Sequence, residues 1–336
     1  MAAKCFLFRI FFFIWVAEMC KAYPKNVKGF LPRVSKPQCE TPVKRIIGGE
    51  IATPNQWPWQ AQILRWKKEN NSYVHRCGGS LFNLEWVVTA AHCVFDQEVS
   101  ALKVRLGEYQ RNVTDISEQD FTVSAVHLHS RFLADSEYAY DIAILRLNRT
   151  VKTSCAVYPI CLPRLYDQVP IGKECFLTGW GMNEFGGDKS NFLRLVKLPV
   201  VSYQDCYDRN KKKHRVDRFS SICVGTVDGN QTQSGCHGDS GGPLACQDDN
   251  GRWELQGVVS WGDHHCGNAY YSVFTRVSSF VDWIGQKMAS APLQKTVKCV
   301  DTHYYCKEWK EKGWCDQRYF EHMLKGYYCK KTCGAC

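Results

Sequence analysis

Three short segments, far apart in the chain, carry side chains suited to nucleophilic catalysis. His92 follows the apolar run Trp86–Val88, Asp141 opens the run Ile142–Leu145, and Ser240 lies in a glycine-rich segment. A serine hydroxyl is a weak nucleophile, so it needs an imidazole to take its proton and a carboxylate to fix the imidazole tautomer. These residue types therefore predict acyl-transfer chemistry, with His92 as base for Ser240 and Asp141 orienting His92.

The elements that must hold these side chains are short strands. Apolar-alternating runs recur between Ile46 and Ser290, and clusters such as Asp248–Gly251 between them are typical of hairpin turns. The clearest runs are Trp86–Val88, Lys103–Leu106, Ile142–Leu147, Leu255–Val259 and Tyr271–Val277. Ser279–Met288 instead repeats its apolar residues at helical spacing. The pattern predicts an all-β sandwich or pair of barrels with a helix at its end.

Composition and the N-terminal residues indicate an exported protein. The 336 residues suit one large and one small domain, and 19 cysteines favour an oxidising compartment. Lys4 and Arg9 precede the short apolar run Ile10–Ala17, so residues 1–22 are predicted to be a signal peptide, with an uncleaved anchor as the alternative. No later segment reaches membrane-spanning length. We expect a secreted, extracellular protein without a membrane span.

Surface modification and charge add two expectations. Four sequons predict glycosylation sites in a secreted chain: Asn70, Asn112, Asn148 and Asn230. The formal net charge is +10, and part of it lies in the basic run Lys211–Arg215. We interpret this run as a solvated loop in preference to a polyanion site. No nucleic-acid-binding motif accompanies it, so no nucleic-acid partner is expected.

The histidine, aspartate and serine segments, with Gly238–Pro243 around Ser240, resemble the chymotrypsin–trypsin–elastase family from Ile46 to about Ser290. The resemblance implies two antiparallel Greek-key β-barrels with a C-terminal helix. It also implies a serine endopeptidase that acts on proteins or peptides through an acyl-enzyme and needs no catalytic cofactor.

The resemblance also assigns supporting roles around the triad. The backbone N–H groups of Gly238 and Ser240 would form the oxyanion hole. Ser260 would support Asp141, while Trp261 and Gly262 would bind the substrate backbone.

The sequence Lys44–Gly49 resembles the activation site of this family. Residues 23–45 would be a propeptide, and a trypsin-like protease would cut after Arg45. The new ammonium of Ile46 would then pair with Asp239 and shape the oxyanion hole. The alternative is an exposed dibasic sequence without a role, which the following Ile-Ile-Gly-Gly disfavours.

Three residues carry the expectation for substrate preference. Ser234, six residues before the nucleophile, takes the place of the pocket base, where trypsin-like enzymes have an aspartate. Gly262 and Ser272 would form the walls, and the combination resembles the chymotrypsin-like elastases. An unpaired cation in a neutral pocket would cost several kcal/mol. We therefore expect cleavage after Leu, Met, Phe and Tyr.

Family resemblance also supplies a disulfide pairing for the large domain. The implied pairs are Cys77–Cys93, Cys175–Cys246, Cys206–Cys223, Cys236–Cys266 and Cys39–Cys161. Cys155 is left over, as a free thiol, a link to another chain, or the true partner of Cys39. The free thiol is weakly preferred.

Three acidic residues at a spacing that resembles the calcium loop of trypsin form a candidate metal site. Glu108, Asp115 and Glu118 offer the oxygen ligands that Ca²⁺ prefers. A structural, non-catalytic calcium ion and a solvated acidic loop both stay open, and a glycan on Asn112 would lie within the loop.

The C-terminal segment forms a second unit. After a linker, residues 291–298, six cysteines lie within residues 299–336 and resemble the ShK toxin domain of sea anemones. The implied connectivity is Cys299–Cys336, Cys306–Cys329 and Cys315–Cys333. The Lys-Tyr pair of channel-blocking members is absent, since Lys325-Gly326 stands there. A docking or adhesion module with its own target is therefore favoured over a toxin, and an intact triad disfavours a catalytically inactive binding protein.

Overall fold

A computed structural model describes residues 50–132, 138–182, 186–226, 239–263, 269–289, 301, 306–316, 329 and 331–334. The predicted signal peptide, propeptide and linker lie outside these residues. So do several predicted site residues: Arg45, Ile46, Asn230, Ser234 and Gly238.

The first half of the protease-like region is a closed six-stranded barrel. Its strands, all antiparallel, follow the order β2-β3-β4-β7-β6-β5. They are β2 (Gln60–Lys67), β3 (Ser72–Asn83), β4 (Trp86–Thr89), β5 (Leu102–Leu106), β6 (Gln119–Leu128) and β7 (Ala143–Leu147). In β5 the alternate residues Leu102, Val104 and Leu106 are fully buried, as the period-2 pattern predicts.

The second half is a seven-stranded antiparallel sheet in the order β1-β9-β8-β11-β12-β13-β10. Its strands are β1 (Glu50–Ile51), β8 (Glu174–Gly179), β9 (Arg194–Pro199), β10 (Ser221–Val224), β11 (Pro243–Gln247), β12 (Trp253–Trp261) and β13 (Ser272–Arg276). The predicted turn at Asp248–Gly251 joins β11 to β12, and Gly251 has a φ of 75°. Together the two halves give the mostly β architecture of a double-barrel protease.

Three α-helices complete the described residues: α1 (Tyr203–Asn210), α2 (Val281–Ala289) and α3 (Cys306–Glu311). Short 3₁₀ turns cover Ala91–Cys93, Val99–Ala101, Val277–Ser279 and Trp314–Asp316. Helix α2 is the predicted C-terminal helix. None of the helices in the described part of the chain is long and apolar enough to span a bilayer.

Five of the disulfides that the resemblance implies are present: Cys77–Cys93, Cys175–Cys246, Cys206–Cys223, Cys306–Cys329 and Cys315–Cys333. Cys155 and Cys161 are also disulfide-bonded, and their partner cysteines are not among the described residues. The preference for a free thiol at Cys155 was therefore wrong. The expected pairs Cys236–Cys266 and Cys299–Cys336 fall outside the described residues, as does Cys39.

Candidate active site

His92 is held at the end of a barrel strand. Strand β4 ends at Thr89, and the 3₁₀ turn Ala91–Cys93 follows at once. The Cys77–Cys93 disulfide fixes the far side of this turn to β3. Arg76 adds a hydrogen bond from its Nε to the Cys93 carbonyl, 2.5 Å long. The chain is thus attached to the barrel both before and after His92.

Asp141 is fully buried and accepts three hydrogen bonds on its carboxylate. The His92 backbone N–H donates to Oδ1 at 2.9 Å, and the His92 Nδ1 lies 2.7 Å from Oδ2. The Ser260 hydroxyl donates to Oδ2 at 2.6 Å. Because a buried charge is costly unless hydrogen-bonded, these three donors stabilise negative charge on the carboxylate beside His92. With Nδ1 donating to Asp141, Nε2 of the neutral ring is left as a proton acceptor.

Sequence reasoning missed one more partner of Asp141. The Thr275 hydroxyl, on β13, donates to the Asp141 carbonyl at 2.7 Å. Thr275 is a buried polar residue that follows the apolar pair Val273 and Phe274 in this strand. A polar side chain at an inward strand position is the signal that would have identified it.

The turn that presents Ser240 is held between the barrel and the seven-stranded sheet. The Ser240 carbonyl accepts a hydrogen bond from the Gly78 N–H of the barrel at 2.8 Å, and the Gly241 N–H donates to the Val259 carbonyl of the sheet at 2.8 Å. Gly241 has a φ of 78°, and a Cβ there would lie 2.2 Å from Thr89 Oγ1. Only glycine fits this contact. Thr89 lies three residues before His92. This close approach therefore places the turn that carries Ser240 beside the end of the strand that leads to the histidine.

Asp239, next to Ser240, turns its carboxylate into a cradle made by two glycines. The Gly181 N–H donates to Oδ1 at 2.9 Å. A Cβ at Gly179 or Gly181 would lie 2.1 or 2.5 Å from a carboxylate oxygen of Asp239. The glycines therefore create the space in which this carboxylate sits. Its expected partner, Ile46, lies outside the described residues.

The expected pocket walls are neighbours. A Cβ added to Gly262 would lie 3.6 Å from Ser272 Oγ, an ordinary van der Waals contact, so the two residues face each other closely. Ser272 is buried, and Trp261 is partly exposed at the end of β12. Ser234, the expected base of the pocket, and Gly238, an expected oxyanion donor, are not among the described residues.

The expected calcium ligands come together. Oxygens of Glu108, Asp115 and Glu118 lie within 4.8 Å of one another. The Arg105 guanidinium enters from one side, 3.3 Å from Glu108 and 2.9 Å from Glu118. Even so, Glu108 Oε1 and Asp115 Oδ2 are buried without a hydrogen-bond partner. Burial raises the pKa of Glu108, the neighbouring Glu118 raises it further, and Arg105 opposes both.

A second cluster of metal-binding residue types is not a candidate metal site. Cys77, His92 and Cys93 lie together, but both sulfurs are used in the disulfide. Among the expected glycosylation sites, Asn70, Asn112 and Asn148 are all exposed.

Comparison with known proteins gives two family matches. The trypsin model matches residues 46–284, and the ShK domain-like model matches residues 298–336. Chymotrypsin-like elastase family member 3B of Homo sapiens is 37% identical over 259 residues, covering 76% of this chain and 93% of the relative. Proproteinase E of Bos taurus is 37% identical over 254 residues, 74% of this chain and 97% of the relative.

A third relative is much longer than this chain. The serine proteinase stubble of Drosophila melanogaster is 36% identical over 266 residues, 77% of this chain. The match spans only 33% of that relative. The similarity therefore concerns a segment of the longer protein.

Proposed function

This chain belongs to the trypsin family and is a serine endopeptidase, and we propose that it is secreted as a zymogen and cuts peptide bonds after medium-to-large apolar residues. The buried Asp141 carboxylate, which accepts from the backbone N–H and Nδ1 of His92 and from the Ser260 hydroxyl, is the observation that carries the mechanism.

The proposed reaction begins when Ser240 Oγ attacks the scissile carbonyl carbon. His92 Nε2 takes the hydroxyl proton, and Asp141 stabilises the imidazolium. The oxyanion that forms on the carbonyl oxygen would be held by the N–H groups of Gly238 and Ser240; one such donor is typically worth about 10²- to 10³-fold in rate. His92 then gives its proton to the leaving amine, and an acyl-enzyme remains.

Water completes the cycle through the same groups. His92 takes a proton from water as the hydroxide attacks the acyl carbon. The second tetrahedral intermediate collapses, and the proton passes to Ser240 Oγ. The free enzyme and the new carboxyl terminus are released.

Activation is proposed to follow cleavage after Arg45 by a trypsin-like protease. The ammonium of Ile46 would enter the glycine cradle and pair with Asp239. Because Asp239 and Ser240 are adjacent, this ion pair would set the backbone that carries the oxyanion donors. Without this ion pair the oxyanion donors would not be held in place, so the uncut chain would be nearly inert.

Substrate preference is proposed to come from Ser234, Gly262 and Ser272. A pocket with a serine base offers no counter-charge to Lys or Arg, and the closely facing residues Gly262 and Ser272 carry no charge either. Each methylene in such a pocket is worth roughly 1–3 kcal/mol. Preference should therefore be graded, with Ala and Val weaker than Leu, Met, Phe and Tyr, and with Trp disfavoured by Ser272.

A structural calcium ion is proposed for the loop between β5 and β6. Two buried carboxylate oxygens without a partner, on Glu108 and Asp115, fit a hard cation. Glu118 would be the third ligand, and the ion would have no part in the chemistry. We further propose that the ShK-like module docks the enzyme on a separate target.

The test uses the full chain, activated by trypsin. A fluorophosphonate probe should label Ser240 after activation, and N-terminal sequencing should find a new chain beginning at Ile46. kcat/KM should then be measured on matched peptides that differ only in the residue before the scissile bond. Leu should exceed Arg and Lys by at least tenfold. If Arg or Lys is cut faster than Leu, an acid must reach the pocket and the role given to Ser234 is wrong.

A further inference from the structure

One lysine of the basic run Lys211–Arg215 reaches the substrate cleft. The Lys213 ammonium donates a hydrogen bond to the Gly262 carbonyl and lies 5.0 Å from the centre of the Tyr270 ring. Lys211 and Lys212 are exposed instead, and Lys211 pairs with Asp208 at 2.7 Å. The interpretation of the whole run as a solvated loop was therefore wrong for Lys213.

The next residue connects this lysine to the catalytic centre. The His214 ring lies 5.1 Å from Trp261 and 5.3 Å from Tyr138, and Tyr138 lies 6.0 Å from the His92 ring. The rings of Tyr138, His214 and Trp261 therefore form a continuous aromatic wall that begins beside His92. Lys213 lies next to His214, at the end of this wall that is farther from His92.

The direction of the substrate follows from the strand that it would join. Ser260 lies against Asp141 at the catalytic centre, and the chain then runs outwards through Trp261 to Gly262. A peptide added antiparallel to this segment pairs residue for residue. With the first residue before the scissile bond beside Ser260, the third residue before it lies beside Gly262, where the ammonium of Lys213 is.

The charge of Lys213 is not neutralised within the described residues, where no carboxylate forms an ion pair with it. Asp263 is the acid whose charge it feels, but that carboxylate is buried and accepts from the Ala269 N–H at 3.1 Å. Partial burial lowers the pKa of Lys213, and Asp263 opposes the change. An ammonium has three donors, and a single carbonyl leaves two of them for a further acceptor.

We propose that Lys213 selects substrates with an acidic side chain at the third residue before the scissile bond. The proposal rests on the proposed peptidase function and adds a second determinant to the primary pocket. The Gly262 carbonyl has two lone pairs, so it can accept from the Lys213 ammonium and from the substrate N–H at the same time. The remaining donors of the ammonium can then bind a Glu or Asp carboxylate at this position. A neutral residue gains no ion pair with the ammonium, and a basic residue is repelled by it.

The experiment measures kcat/KM on peptides with Leu before the scissile bond and Glu, Gln or Lys two residues earlier. The activated full chain should prefer Glu over Gln by roughly 3- to 10-fold, with Lys slowest, because a partly buried ion pair exceeds the small value of an exposed one. The preference should weaken at high salt. Lys213→Met should bring the Glu-to-Gln ratio close to one, and Lys213→Arg should preserve it.

Lys212→Met is the matched control, because it removes the same charge from the neighbouring exposed position and should keep the preference. If the wild type shows no Glu preference, or if Lys213→Met retains it, the proposal is wrong. Loss of the preference in Lys212→Met as well would also overturn it, since net charge alone would then be responsible. Fluorophosphonate labelling separates the two levels: labelling without a charge preference refutes only the role of Lys213, whereas absence of labelling refutes the peptidase function and this role together.

Discussion

The two sides of the cleft are secured in different ways. His92 and Asp141 belong to the closed barrel, and described residues hold them in place: the Cys77–Cys93 disulfide, Arg76, Ser260 and Thr275. Ser240 belongs to the seven-stranded sheet and is followed by Gly241, with its positive φ. Its neighbour Asp239 occupies a cradle whose proposed partner exists only after proteolysis. The base is therefore built into the fold, while the nucleophile side is proposed to depend on activation.

The largest expected effect tests whether the two sides act as one unit. Ser240→Ala and His92→Ala should each lower kcat by about 10⁵- to 10⁶-fold, because both residues act in the same proton-coupled attack. The double variant should lose no more than either single variant. Steady-state kinetics on a Leu peptide measures this, with Ser100→Ala, an exposed serine, as the control. Additive losses would mean that the two sides work independently.

A smaller effect tests the dependence on proteolysis. Arg45→Gln should remain unlabelled by the fluorophosphonate after trypsin treatment, with activity lower by about 10²- to 10³-fold, because Asp239 keeps no ammonium partner. Lys44→Gln leaves the cut after Arg45 intact and should activate normally. The measurements are N-terminal sequencing and kcat/KM on the same samples. Full activity in Arg45→Gln, with the bond to Ile46 verified as intact, would show that the nucleophile side is already formed in the uncut chain.

The contrast also explains what the sequence could and could not predict. The triad, the strand pattern and helix α2 follow from motifs and apolar periodicity, which are local properties of the chain. The sequence analysis did not predict helix α1, because its eight residues are mostly polar. Ser202, the residue before it, caps the helix, and its hydroxyl accepts from the Asp205 N–H. Such a cap is easily confused with a loop.

Tertiary contacts account for the remaining differences. A run of basic residues does not reveal which member folds back, so Lys213 was not separated from Lys211 and Lys212. Thr275 supports Asp141 across 134 residues of chain, a contact that spacing alone cannot predict. Cys155 could not be paired from sequence, because pairing depends on which cysteines the fold brings together.

The smallest expected effect concerns the stability of the barrel that carries the base. Calcium should raise the Tm of the activated enzyme by about 5–11 °C, because a ligand at 100 times its Kd stabilises by about 2.7 kcal/mol and each kcal/mol shifts Tm by about 2–4 °C in a domain of this size. Glu108→Gln should abolish this shift, since it replaces a carboxylate whose Oε1 is buried without a partner. Glu69→Gln, at an exposed acid, should keep it. Because the ion would have no part in the chemistry, kcat should change far less than Tm when calcium is removed. A calcium shift that persists in Glu108→Gln would mean that the ion binds elsewhere. The ion pairs of Arg105 with Glu108 and Glu118 would then stabilise this loop without a metal.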